Sequence, residues 1–309
     1  MRVIEVREFG GPEVLVEAER PEPEPGPGQV AVRVRAAAVN PVDWFTRSGA
    51  LAAVFPHPEP PLVLGWDLAG TVERDGGGFT AGQRVAGMVP WFTVGRGTYA
   101  EVVLAEPEWL APVPDGVDDV TAGALPLNAL TARQALDLTA VPAGATLLVT
   151  GASGAVGGYA VQLAAAAGVE VLAVASDGDE EWVTGLGAKH VLARAGADDL
   201  AAAVRAVVAG GVDAVLDAAP VGPGLVAAVR DGGAFTAVLD ATAPAAERGV
   251  RVAKVSVVPD AAALRELLAA AAAGALSVRV AGTRPLAAAA EAHERAAAGG
   301  LRGKLVLVP

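Results

Sequence analysis

The segment that most constrains this chain is residues 150–158, TGASGAVGG. It follows an apolar run at 145–150 (ATLLVT) with the makeup of a buried strand. It opens an Ala-rich run at 155–167 with the makeup of a helix. Gly151, Gly154 and Gly157 are spaced G-x-x-G-x-x-G. In a strand–turn–helix of this kind the first glycine lets the chain bend sharply. The second lets the backbone approach a diphosphate with no Cβ in the way, and the third lets helix and strand pack closely. The helix N-terminus then presents unpaired N–H groups and a partial positive charge. Tight packing alone also explains such glycines, but the strand–turn–helix context favours dinucleotide binding. The expected cradle is Gly151, Ala152, Ser153, Gly154, Ala155, Val156 and Gly157.

From about residue 118 apolar strand-like runs alternate with helical ones. Strands are expected at 169–175, 190–193, 212–217 and 234–239, with helices at 180–186, 198–208 and near 224–230. Repeated βα units with near-continuous Val/Leu strands predict a doubly wound parallel sheet, hence an α/β fold. The first third reads differently. Residues 30–37 (VAVRVRAA) alternate as a half-solvated strand, and 14–17, 68–73, 83–88 and 99–104 are further short candidates. Turn-forming runs such as PEPEPGPG at 21–28 separate them, which predicts a barrel-like β-rich domain. The tail alternates strand 250–258, helix 261–273, strand 278–281, helix 286–298 and strand 304–308.

Bulk charge narrows the partners. The chain carries 35 acids against 23 bases, a formal charge of −12, and a field of that sign repels phosphate backbones and anionic lipid surfaces. A small-molecule partner is expected, with neither nucleic acid nor membrane. Cysteine is absent, which excludes disulfides, thiolate nucleophiles and cysteine-based zinc sites. The first residues carry charges where a signal peptide needs an apolar core, so a cytoplasmic location is expected.

The end of the second strand bears on which dinucleotide is taken. A carboxylate there binds the ribose 2′-hydroxyl of NAD and repels the extra phosphate of NADP. Nineteen residues on from Gly157 stands Ser176, which tolerates a phosphate, followed by Asp177, Gly178 and Asp179, which argue the other way. Arg194, ending the third strand, can supply positive charge to the same pocket. Both cofactors stay open at this point, NADPH first and NADH as the alternative.

Seven segments in order resemble motifs of the medium-chain dehydrogenase/reductase superfamily, in its zinc-independent quinone oxidoreductase branch. They are AAAVNPVDWFTRSG (36–49), PLVLGWDLAGTV (61–72), FTAGQRVAG (79–87), LPLNALTARQAL (125–136), TGASGAVGG (150–158), GGVDAVLDAA (210–219) and LRGKLVLVP (301–309). The resemblance spans essentially the whole chain. It implies a GroES-like β-rich catalytic domain over 1–117, completed by 278–309, and a Rossmann domain over 118–277. It also implies a homodimer, with the 250–258 strand extending the sheet across subunits. Zinc-dependent relatives carry Cys where this chain has Asn40, and His-Glu where it has Trp66-Asp67, so no catalytic metal is expected.

The same resemblance assigns roles. Asn40, Asp43 and Thr131 match residues at the reacting end, and Lys304 matches a cofactor-contacting lysine. Each has a plainer reading: Asn-Pro pairs make Asx-turns, a helical Thr stabilises its own turn, and a lysine entering an edge strand is usually solvated. Trp44, Trp66 and Asn128 are candidates for substrate contact, with Phe45 and Trp91 as further aromatics that core packing explains equally well. His57 sits in a Pro-rich loop, while His190 and His293 read as ordinary flanking residues. No Ser/His/Asp constellation supports hydrolysis. The implied activity is NAD(P)H-dependent hydride transfer, with no metal to polarise the acceptor, to a quinone or an α,β-unsaturated carbonyl, as an enoyl or enone reductase does in natural-product metabolism. The alternative keeps the fold without redox turnover, as a cofactor-binding or scaffold protein or a cyclase/isomerase.

Overall fold

The computed structural model describes residues 1–53, 59–239, 241 and 243–309; His57 lies outside the described residues. The chain divides into two compact units, one of Met1–Leu127 with Val258–Pro309 and one of Asn128–Val257.

The first unit is built around strand Val30–Ala38. It pairs antiparallel with Asp67–Val72, with Val102–Ala105 and, through Val306↔Ala38 and Leu307↔Ala37, with the last strand Lys304–Val308. The expected alternation holds in its middle, where Val32 and Val34 are buried while Arg35 is exposed and Arg33 pairs with Glu22 and Glu73. Arg84–Met88 and Leu110–Pro112 extend the sheet on one side and Val280–Pro285 on the other. A smaller sheet joins Arg2–Val6 to Leu15–Glu19 and Leu62–Val63. Residues 118–127 and 258–277, grouped by the sequence reading with the Rossmann series, cluster here instead. Helix Ala261–Ala272 buries Ala263, Leu264, Leu267 and Leu268 as one apolar stripe and packs on strand Leu110–Pro112.

The sequence reading passed over a helix at Pro41–Arg47. Its start is specified locally. Pro41 occupies the first turn, where its missing N–H costs nothing. The Asp43 carboxylate accepts the Asn40 backbone N–H at 2.8 Å, as the third residue of a capping box does.

The second unit holds a six-stranded sheet with every neighbouring pair parallel. Numbered along the chain within this sheet, its strands run 3-2-1-4-5-6: His190–Ala193, Glu170–Ala175, Thr146–Val149, Val212–Asp217, Val229–Ala237 and Arg251–Lys254. This is the doubly wound dinucleotide-binding order, whose direction reverses between strands one and four. The expected helix near 224–230 is a short 3-10 turn, Pro223–Ala228, and the next strand starts at Val229 rather than 234. Gly222, at φ +116°, and Pro223 leave too little chain between two adjacent parallel strands for a full helix. Leu148, Leu172, Leu200, Val204, Val215, Leu225 and Phe235 form the core against one sheet face. Among the described residues, no helix is long and apolar enough to cross a membrane.

Candidate functional site

The glycine turn stands at the carboxyl end of the first parallel strand. Gly151 takes φ +65°, a left-handed conformation that favours glycine. Thr150 ties the two central strands together: its hydroxyl donates to Asp217 Oδ1 at 2.6 Å and accepts the Ala219 N–H at 3.1 Å. The Ala152 N–H reaches Val174 O at 3.0 Å, and Ser153 Oγ accepts the Ser176 N–H at 2.9 Å, fastening the turn to the end of the second strand. A Cβ on Gly157 stands 2.3 Å from Gly151 O, so only glycine permits this approach of helix to turn. Helix Ala155–Ala166 begins at Gly154 with no side-chain cap. The first-turn amides of Ala155, Val156 and Gly157 therefore have no capping oxygen and no carbonyl one turn above them. Together with the helix dipole, such a terminus suits the two negative charges of a diphosphate.

Strand register brings Ser176 and Arg194 together. Ala175 pairs with Ala193, so the two residues leave the sheet side by side. Arg194 is exposed and makes no ion pair among the described residues. Asp177 is exposed while Asp179 is buried at the start of helix Glu180–Gly185. Asn128 and Thr131 lie on helix Pro126–Thr139, both buried.

In the first unit a second constellation surrounds Asn40, which is only 1% exposed. The Asn40 Nδ2 donates to Asp67 Oδ2 at 2.7 Å, and its Oδ1 accepts from Lys304 Nζ at 2.6 Å. Opposite partners at the two ends of the amide fix its orientation. Lys304 also donates to Val39 O at 2.6 Å, and Asp67 Oδ1 accepts the Leu127 N–H at 2.6 Å. Asp43 faces inward, accepting the Asn40 and Gly65 backbone N–H groups and the Tyr99 hydroxyl at 2.8, 3.1 and 3.1 Å. The Tyr99 oxygen lies 3.1 Å from His293 Nε2, and His293 Nδ1 lies 3.1 Å from an Arg47 guanidinium nitrogen. All of these side chains are buried.

Burial shapes the charge states. It pushes the Asp43 carboxyl up to about 7 against the opposing pull of the Asn40 N–H, Tyr99 and Lys304, with Asp67 adding to the rise. Burial likewise pushes Asp67 up to about 6, opposed by Lys304 and by hydrogen bonds from Leu127 and Asn40. The Lys304 ammonium is lowered by burial and partly held by the two carboxylates. His293 is pushed down to about 3, by burial first and the Arg47 charge second. Two carboxyls that titrate near neutrality beside a destabilised ammonium can hold or release a proton at working pH.

Several residues stand apart from these groups. Trp91 is fully buried and donates from Nε1 to Val63 O, and Trp66 is buried edge-on against Phe92 at 4.5 Å. Trp44 and Phe45 form a tilted pair at 6.2 Å, with Phe45 exposed. His190 sits 3.8 Å from Glu170. The sequence reading missed His293 and Tyr99. The signal for His293 was helical spacing: Leu286, Ala289 and Ala292 share its buried face, which puts a histidine at a core position.

Two family matches cover parts of the chain, the first within the first unit and the second running from the second unit into the C-terminal part of the first. The description "Alcohol dehydrogenase GroES-like domain" matches residues 26–115 and "Zinc-binding dehydrogenase" matches residues 186–307. Quinone oxidoreductase of Pongo abelii is 36% identical over 183 residues, covering 59% of this chain and 54% of that protein. The chain thus spans about half the length of the curated relatives it matches. The structure of a quinone oxidoreductase from Coxiella burnetii superposes with a TM-score of 0.88 at 28% identity, covering 100% of this chain and 99% of that one. A mycobacterial protein solved in complex with NADPH superposes with a TM-score of 0.85 at 31% identity over 100% of both chains.

Proposed function

The chain belongs to the medium-chain dehydrogenase/reductase superfamily, in its zinc-independent quinone oxidoreductase-like branch, and we propose that it is an NADPH-using oxidoreductase acting on a quinone or an α,β-unsaturated carbonyl compound. The observation that carries this reading is the uncapped helix N-terminus after Gly154, at the carboxyl end of a 3-2-1-4-5-6 parallel sheet. The amides of Ala155, Val156 and Gly157 hold the diphosphate, and Gly151, Ala152 and Ser153 shape the turn beneath it. Ser176 and Arg194 receive the adenosine ribose. The guanidinium of Arg194, exposed and making no ion pair among the described residues, favours a 2′-phosphate, hence NADPH, although the exposed Asp177 leaves NADH in competition.

When bound, the nicotinamide supplies a hydride. The chain's own task is then orientation and charge. Holding the reacting partners in register alone supplies several kcal/mol. Asn40, clamped between Asp67 and Lys304, offers a fixed polar group for that purpose. Asp43 holds the Asn40 backbone, and Asp67, Asp43 and Lys304 form the buried set able to exchange a proton near neutral pH. Thr131 is proposed to contact the nicotinamide, and Asn128, Trp44 and Trp66 are proposed as substrate-contacting residues. An acceptor that is electrophilic by itself fits residues of this kind, which lack any cysteine. The outer edge of strand Arg251–Lys254 is proposed to pair with a second copy, giving a cytoplasmic homodimer.

The test is calorimetry with NADPH and NADH, followed by absorbance assays of both against a panel of quinones and enones. Saturable NADPH binding with turnover of at least one acceptor supports the reading. Absence of heat for either dinucleotide overturns it.

A further inference from the structure

We propose that His293 is a positioning residue that keeps the Tyr99 hydroxyl proton pointed at Asp43 and so keeps the Asn40 corner of the candidate site in one hydrogen-bonded arrangement. Its bearing on catalysis rests on the reading of Asn40 given above; the relay itself does not.

The direction of the chain follows from donor chemistry. A guanidinium has donors only. Because Arg47 lies 3.1 Å from His293 Nδ1, that nitrogen accepts, and the ring proton resides on Nε2. Nε2 lies 3.1 Å from the Tyr99 oxygen, which therefore accepts from it and turns its own proton to Asp43 Oδ2, 3.1 Å away. Reversing either link of the imidazole sets two donors face to face. Arg47 is itself anchored by donation to Gly10 O at 3.2 Å. The result is a one-way series from a fixed cation to a buried carboxylate, with every member less than 9% exposed. It conducts no proton, because its far end is an arginine and His293 stays neutral with a pKa near 3.

The series matters because Asp43 is poised. Facing it are the backbone N–H groups of Asn40 and Gly65 and the Tyr99 hydroxyl. Lys304 on the last strand and Asp67 at the head of its strand act through their charges. Arg47 on the same helix and His293 on helix Ala289–Ala297 stand behind Tyr99, with Glu13 acting on Arg47. Burial and Asp67 favour the protonated form of Asp43, whereas the amides, Lys304 and the oriented phenol favour the carboxylate. Without His293 the phenol is free to rotate, the balance tips to the acid, and a protonated Asp43 caps Asn40 less well.

The experiment uses the whole chain with three variants, Tyr99→Phe, His293→Leu and His293→Gln. The readouts are the Asp43 carboxyl titration and Asn40 amide exchange, both by NMR, alongside melting temperature and the acid limb of NADPH-dependent kcat/KM. His293→Leu and Tyr99→Phe are expected to move the Asp43 titration upward by about one pH unit and to speed Asn40 exchange several-fold. His293→Gln is expected to restore both, since its amide oxygen can accept from Arg47 while its N–H donates to Tyr99. A melting-temperature loss in His293→Leu with Asp43 and Asn40 unmoved overturns the proposal, as does His293→Gln behaving like His293→Leu. Tyr99→Phe keeps the ring and supplies the titration result if His293→Leu does not fold. A shifted titration with an unmoved acid limb supports the relay and counts instead against Asn40 as a site residue.

Discussion

Replacing Gly157 by Ala tests the contact on which the dinucleotide reading depends. An Ala Cβ there stands 2.3 Å from Gly151 O, 2.5 Å from Gly151 C and 2.9 Å from Ala152 N. Ordinary contact begins at 3.4 Å, so turn and helix must part by about 1 Å, and all three obstacles are backbone. Gly158 is the control, because it lies next along the same helix and its Cβ meets only Ala152 O at 3.3 Å and Leu186 Cδ1 at 3.5 Å. Both substitutions gain the same helix propensity, about 1 kcal/mol. The difference between the two variants therefore isolates the steric penalty, roughly 1–3 kcal/mol for forced overpacking. At about 2–4 °C per kcal/mol, Gly157→Ala should melt roughly 3–10 °C below Gly158→Ala. Displacing the helix N-terminus by about 1 Å also pulls its amides off the diphosphate, so NADPH affinity should fall at least about tenfold in the first variant and stay within about twofold in the second. Thermal melts and calorimetric titration read both quantities. Equal melting temperatures together with equal NADPH affinities would refute the close approach and the cradle built on it.

Arg194→Ala should weaken NADPH by about tenfold or more and leave NADH unchanged, since a charge-assisted hydrogen bond contributes about 1.5–3 kcal/mol; equal loss for both cofactors in titrations removes the 2′-phosphate assignment. Asp67, with a pKa near 6 in the fold against about 3.9 unfolded, binds its proton more tightly when folded, so its stabilising contribution is present below about pH 4 and fades as pH rises through 6. Denaturant melts of Asp67→Asn should thus show a flatter stability profile between about pH 4 and 6 than the wild type, by on the order of 1–3 kcal/mol; an unchanged profile contradicts the burial argument. Lys304→Met removes the cation that favours both carboxylates and leaves Asn40 Oδ1 and Val39 O without their donor. Carboxyl titrations of Asp43 and Asp67 should both move upward, and a downward move of either refutes the charge balance.

The sequence by itself determined what is written in short-range periodicity. The alternation of Val/Leu strands with Ala-rich helices, the strand–turn–helix at 145–167 and the need for glycine at 151 and 157 follow from a few consecutive residues, because turns, pleats and helix faces are local geometry. Strand order, the short 3-10 turn at Pro223–Ala228 and the seating of helix Ala261–Ala272 on strand Leu110–Pro112 were decided by tertiary structure. The polar core was decided there too. His293 meets Tyr99 across 194 residues and Arg47 across 246, and Lys304 reaches Asn40 across 264. Such pairings leave no mark in a local window, and it is burial, a property only of the packed chain, that converts a flanking histidine and an edge-strand lysine into members of a charged network.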